Sequence, residues 1–138
     1  MALFSRCRGN RRGTSTIEFA LVLPLFGYLL YGILGYGQYF LLAHNVQQIA
    51  NDAARATVAG LSADERRTLA TSAIDHELGS LRTLSAGDVS SSVDETSDTV
   101  TVRVRLDASN VPLIRNSFIP MPDAVIERRA VVRPGGIA

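Results

Sequence analysis

One carboxylate stands at the head of a long uncharged run. In Gly13-Thr14-Ser15-Thr16-Ile17-Glu18-Phe19, Glu18 immediately precedes residues 19–43, which carry no ionisable side chain other than tyrosine. A charged acid at the centre of a bilayer costs roughly 2.5–3.5 kcal/mol; at the edge the cost is smaller but still favours a partner. Cutting the chain after Gly13 would supply one. The new α-amino group of Thr14 would lie about one helical turn from Glu18, or within reach of Glu18 in a neighbouring copy, and the two charges would cancel inside lipid. The plainer alternative is an acid at the membrane interface, favoured there by the positive end of the helix dipole.

Residues 19–43 would rise about 37 Å as a helix, more than the ~30 Å hydrocarbon core of a bilayer, so they are expected to span a membrane. Pro24, Gly27, Gly32, Gly35 and Gly37 load this segment with helix-weakening residues. A kink at Pro24 is expected, because proline removes one backbone hydrogen bond. The glycines either let the segment extend or permit close helix contact. Of the four tyrosines in the run, Tyr36 and Tyr39 are expected in the outer interfacial belt, and Tyr28 and Tyr31 against neighbouring helices. Past the span, Val46, Ile49, Ala50, Ala53, Thr57 and Val58 recur at three- and four-residue spacing on one side. The helix is therefore expected to continue from Thr14 to about Ala59 and to end at Gly60 in a left-handed cap.

The stretch TSTIEFALVLPLF, followed by QQIANDAARATVAG, resembles the TadE-like pseudopilins of the tight-adherence (Flp) pilus system, and Gly13 with Glu18 resembles the type IV prepilin cleavage motif. The resemblance covers about residues 9–60. It implies a basic leader, residues 1–13, removed by a prepilin peptidase that recognises Gly13, Thr14 and Glu18. It also implies a mature chain in which Glu18 sets subunit register by pairing with the new N-terminus. Type IVa pilins and type II secretion pseudopilins usually begin with an aromatic or large apolar residue, and Thr14 departs from that pattern, which favours the tight-adherence branch and leaves N-terminal methylation open. The function implied is that of a minor pseudopilin in assembly of a pilus used for adhesion and secretion, with other pilus subunits, the inner-membrane assembly platform and membrane lipid as partners. The major pilin of such systems is very short and nearly all helix, unlike this chain. Two alternatives stand beside this one: an uncleaved signal anchor holding an extracytoplasmic binding or adaptor domain, and a type II secretion pseudopilin.

Charge placement agrees with an anchored topology. All fourteen basic residues are arginine. Arg6, Arg8, Arg11 and Arg12 precede the span, whereas only Arg55 follows within about twenty residues, so the N-terminus is expected in the cytoplasm and the C-terminal part exported from the inner membrane. The leader carries no acid, which leaves ten arginines against thirteen acids downstream. These are interspersed, and no basic nucleic-acid-binding face is indicated. Cys7 would leave with the leader, so no disulfide could form in the exported part. The apolar run is too long for the h-region of a secretory signal, and Arg11-Arg12 reads as topology charge. His76-Glu77 lacks the second histidine of a zinc motif, and no phosphate loop, nucleophile elbow or CxxC pair is present. The chain is read as a non-enzyme, with no catalytic or metal residues, no cofactor and no small-molecule substrate.

Beyond Gly60, residues 61–138 are expected to form a small exported domain. Ser62-Ala63-Asp64-Glu65 has the form of a capping box opening a second helix to about Leu81, with Leu69, Ala70, Ile74, Leu78 and Leu81 buried and Gly79 fraying its end. The period then becomes two. Val100, Val102, Val104 and Leu106 alternate with Thr101, Arg103 and Arg105 and predict a strand with one wet face. An earlier strand over residues 89–95 pairs with it across Thr96-Ser97-Asp98, and a third runs from about Ala124 to Arg133. The loop at residues 110–122, with Leu113, Ile114, Phe118, Ile119 and Met121, either folds under the sheet or presents an apolar patch to a partner. The class is α+β and pilin-like: a long N-terminal helix, a second helix, and a small antiparallel sheet of three strands.

Overall fold

The computed structural model describes residues 11–80, 86–115 and 119–134. Its elements run α1 (Arg11–Thr57), α2 (Ala63–Ser80), the 3-10 turn η1 (Ala86–Asp88), β1 (Val89–Glu95), β2 (Val100–Asp107) and β3 (Val125–Val132). The chain divides into two compact units, Met1–Leu34 and Gly35–Ala138.

In the second unit the three strands form one antiparallel sheet in the order β1-β2-β3. β2 shows the alternation that its sequence predicts: Val100, Val102, Val104 and Leu106 are buried, and Arg103, Arg105 and Asp107 exposed. Its registers pair Val93 with Val102 on one side and Val102 with Ala130 on the other. The β1–β2 hairpin closes with Thr96 N–H donating to the Thr99 carbonyl at 2.9 Å, while the two threonine hydroxyls lie 2.7 Å apart.

The inner sheet face shares one core with Val46, Ile49, Ala50, Ala53 and Ala54 of α1 and Ala70 and Ile74 of α2. Four of those seven are alanines, and small side chains let a helix backbone approach a sheet closely. Thr57 is fully buried, and its hydroxyl donates to the Ala54 carbonyl at 2.6 Å, which satisfies it inside the core. Val58, expected on this face, is 50% exposed, because the helix has already passed into a turn at that point.

Gly60 has no positive φ, so the expected left-handed cap is corrected. α1 instead ends in tight i to i+3 turns, with Val58, Ala59 and Gly60 donating to the carbonyls of Arg55, Ala56 and Thr57. The glycine is required for space. A Cβ there would meet Arg66 Cγ at 2.6 Å, its N at 2.8 Å and its Cα at 3.0 Å. Arg66 also donates to the Gly60 carbonyl at 2.9 Å and pairs with Glu95, tying the start of α2 to the end of β1.

The cap of α2 is the predicted one with a shifted return bond. Glu65 N–H donates to Ser62 Oγ at 3.2 Å, and the Glu65 carboxylate accepts from Leu61 N–H at 2.9 Å rather than from Ser62. α2 runs through Gly79 to Ser80, so the expected fraying at Gly79 does not occur; Leu81 lies outside the described residues.

The 110–122 loop is folded into the core in part. Ile114 is 5% exposed, and Val111 and Met121 pack against the core; Phe118 lies outside the described residues. Where β2 enters the loop, Asp107 accepts from Ser109 N–H at 3.0 Å. Hydrogen bonds from the Ser109 side chain and backbone hold its carboxyl below the usual aspartate range.

β3 has one free edge. Ala108 N–H donates to the Ala124 carbonyl, so even-numbered residues of this strand turn their main chain toward β2 and odd-numbered ones away from it. Three outward groups are engaged by side chains. Val125 N–H donates to Asp123 at 3.1 Å, the Glu127 carbonyl accepts from Arg128 at 2.8 Å, and the Arg129 carbonyl accepts from Gln47 at 3.4 Å.

Gly60→Ala is expected to destabilise the folded unit by about 1–3 kcal/mol, because the obstructing atoms include Arg66 main chain, which yields less readily than a side-chain end. Thermal unfolding in detergent would read this. The lowered Asp107 pKa contributes stability above the usual aspartate value, and that contribution is lost as pH falls through the folded value. Wild type should therefore lose Tm more steeply than Asp107→Asn below about pH 4.

Candidate functional site

The apolar part of α1 is a helix with no protein over it. Residues 15–30 are all exposed, as are Ile33 and Leu34. Leu21 is 71% and Leu25 70% exposed. An 18-residue window within Ser15–Thr57 has mean hydropathy 1.9 and none of it is buried, so α1 is long and apolar enough to cross a membrane. Residues 15–34 would rise about 30 Å, the thickness of the hydrocarbon core.

Within the expected membrane-spanning segment, residues 19–43, the protein itself covers one face of the outer end. Leu42 is 3% and Ala43 6% exposed, both within the protein core, and Gly35 is buried as well. Tyr36 and Tyr39 follow the same pattern. Tyr36 Oη donates to the Pro120 carbonyl at 2.6 Å, and Tyr39 packs against the core cluster, so both tyrosines are engaged by protein. The core stripe Val46, Ala50, Ala53 extends back at four-residue spacing to Leu42, a contact that the sequence reading did not anticipate.

The residues of the cleavage motif lie near the start of α1. Arg11, Arg12, Gly13 and Thr14 are all within the helix, which thus already includes the three residues ahead of its expected start at Thr14. No helix breaker stands at residues 11–13, and a glycine weakens a helix by only about 1 kcal/mol. Arg6 and Arg8 lie outside the described residues. Glu18 comes one turn after Thr14, on the same side of the helix by i,i+4 spacing. It is exposed, and among the described residues no ion pair engages it. Pro24 lies inside α1, and its missing N–H frees the Ala20 carbonyl.

What this arrangement offers is an exposed acid at one end of a lipid-length apolar rod, with a glycine five residues before it. His76 stands next to Glu77 on α2, their side chains 3.9 Å apart. Among the described residues no three His, Cys, Asp or Glu side chains cluster as a metal site would require.

Tyr36→Phe should lower stability by about 1 kcal/mol, as the Pro120 carbonyl loses its donor. Denaturant unfolding of the detergent-solubilised chain, with an unchanged m-value, would check it.

No curated protein and no solved structure matches the chain. The family model described as TadE-like protein matches residues 13–55, from the glycine of the motif almost to the end of α1. Most of the long helix is thus similar to the TadE-like family.

Proposed function

We propose that the chain is a minor pseudopilin of a tight-adherence-type pilus, inserted with its N-terminus in the cytoplasm and cut after Gly13. One observation carries the reading: the uncovered apolar helix of residues 15–34, whose only fixed charge is Glu18, within a TadE-like segment that starts at Gly13. Water is a poor solvent for that surface, whereas lipid or the packed helices of a filament suit it.

A prepilin peptidase, the assembly platform and other pilus subunits are the partners that follow from this reading. Gly13 leaves the peptidase subsite clear of a side chain. Cleavage then turns Thr14 into an ammonium one turn from Glu18, or available to Glu18 of the next copy. The exported unit, Gly35–Ala138, is the part left to contact other subunits, and its role is structural rather than catalytic.

One observation favours a second reading, that of an uncleaved anchor carrying a binding domain. The peptide bond between Gly13 and Thr14 lies inside α1, and a helical bond must unwind before a peptidase can act on it. The N-terminal sequence of the protein isolated from cells separates the two.

A mature chain starting at Thr14 is expected, and one starting at Met1 selects the uncleaved anchor. Gly13→Leu should leave a longer, uncut protein on a gel. Glu18→Gln should be cut normally yet be depleted from sheared pili or the assembly complex; full incorporation of that variant would refute the pairing role.

A further inference from the structure

The exposed apolar surface of α1 does not stop at Leu34. Phe40 is 64% and Leu41 57% exposed, Gln38 is the one half-exposed amide among them, and fully exposed polar side chains begin at His44, with Gln48, Asn51 and Arg55 after it. From Ile17 to Leu41 a helix rises about 36 Å, beyond the ~30 Å hydrocarbon core and into the headgroup layer. The change at His44 marks the outer limit of an apolar surrounding.

A loop is attached below that limit. The Pro120 carbonyl accepts from Tyr36, and a Cβ at Gly35 would sit 3.5 Å from the Leu113 carbonyl oxygen and from Met121 Sδ. These two helix residues directly follow Leu34, about 12 Å before His44 along the helix. Ile114 is buried, but Leu113, Ile119 and Met121 are only half-buried, and Pro112, Pro120 and Arg115 are exposed. The outer sheet face, by contrast, exposes Ser90, Ser92, Arg103, Arg105, Glu127 and Arg129. Pro112, Pro120 and Pro122 have no N–H to leave unsatisfied away from water. Arg115 has the reach to place its guanidinium among lipid phosphates.

We propose that residues 111–115 and 119–122 form a second membrane contact, resting in the headgroup layer of a phospholipid surface beside the entry point of α1. This rests on the reading that residues 15–34 lie in lipid. The contact seats the exported unit against the bilayer, with Leu113, Ile119 and Pro120 at the acyl boundary and Arg115 on phosphate.

The chain contains no tryptophan, so single tryptophans can report depth. The full chain would be reconstituted in phosphatidylcholine–phosphatidylglycerol vesicles carrying bromine at shallow or deep acyl positions. Phe26→Trp reports the span, Ile119→Trp and Pro112→Trp the loop, and Ser92→Trp the outer sheet face. Both loop variants should lose emission with shallow bromine more than with deep bromine, Phe26→Trp should be quenched, and Ser92→Trp should not. Quenched Phe26→Trp beside unquenched loop variants would overturn the loop contact and leave the anchor standing. An unquenched Phe26→Trp would overturn the anchor itself. Loop variants that ignore bromine but become shielded from aqueous iodide as the protein-to-lipid ratio rises would assign the patch to another copy of the chain, against the proposal.

Discussion

An apolar helical surface that its own chain leaves bare constrains everything else in this molecule. Residues 15–34 expose leucine, phenylalanine and isoleucine almost without interruption, and such a surface is stable only where another apolar medium replaces water. Glu18 takes its significance from that medium, because an exposed acid in water needs no explanation and one in oil does. Pro24 is tolerable on the same ground. Where no water competes, a helix keeps its remaining hydrogen bonds.

One helix serves two environments in succession. From Phe19 to Leu34 it is apolar all round and largely uncovered, whereas from Leu42 to Thr57 only one stripe is apolar, and the chain's own core covers it. The second stretch achieves its packing with small residues. Ala43, Ala50, Ala53 and Ala54 share one buried cluster with Val100, Val102, Val104 and Leu106, so a modest domain with no disulfide among its described residues still builds a continuous core. Arg66 and Glu95 add a partly buried tie between α2 and β1.

Local periodicity made much of this legible. β1 lies where pairing with β2 across Thr96-Ser97-Asp98 predicts it, β2 buries the four expected residues, and Ser62 caps α2 as its spacing to Glu65 implies. What sequence could not separate is lipid from protein interior, because both select the same residue types. Leu42 and Ala43 read as a continuation of the span and turn out to belong to the core. Gly60 was misread for a related reason. A glycine after a helix signals a left-handed turn by frequency, but here the constraint comes from Arg66, six residues on, whose approach is a tertiary fact. Tyr36 bonds to a residue 84 positions away, beyond any local pattern. Gly13, Thr14 and Glu18 were singled out from their chemistry and from the resemblance, and all three lie within the residues 13–55 that the TadE-like model matches.

The two borders of the sheet are unequal in their capacity to recruit strands. Asp123, Arg128 and Gln47 occupy main-chain groups along β3, and an incoming strand would have to displace all three. A ribbon that grows without limit needs two receptive borders on every protomer. With β3 engaged at three positions, an added strand meets competition on that border, which works against open-ended cross-β growth through this sheet.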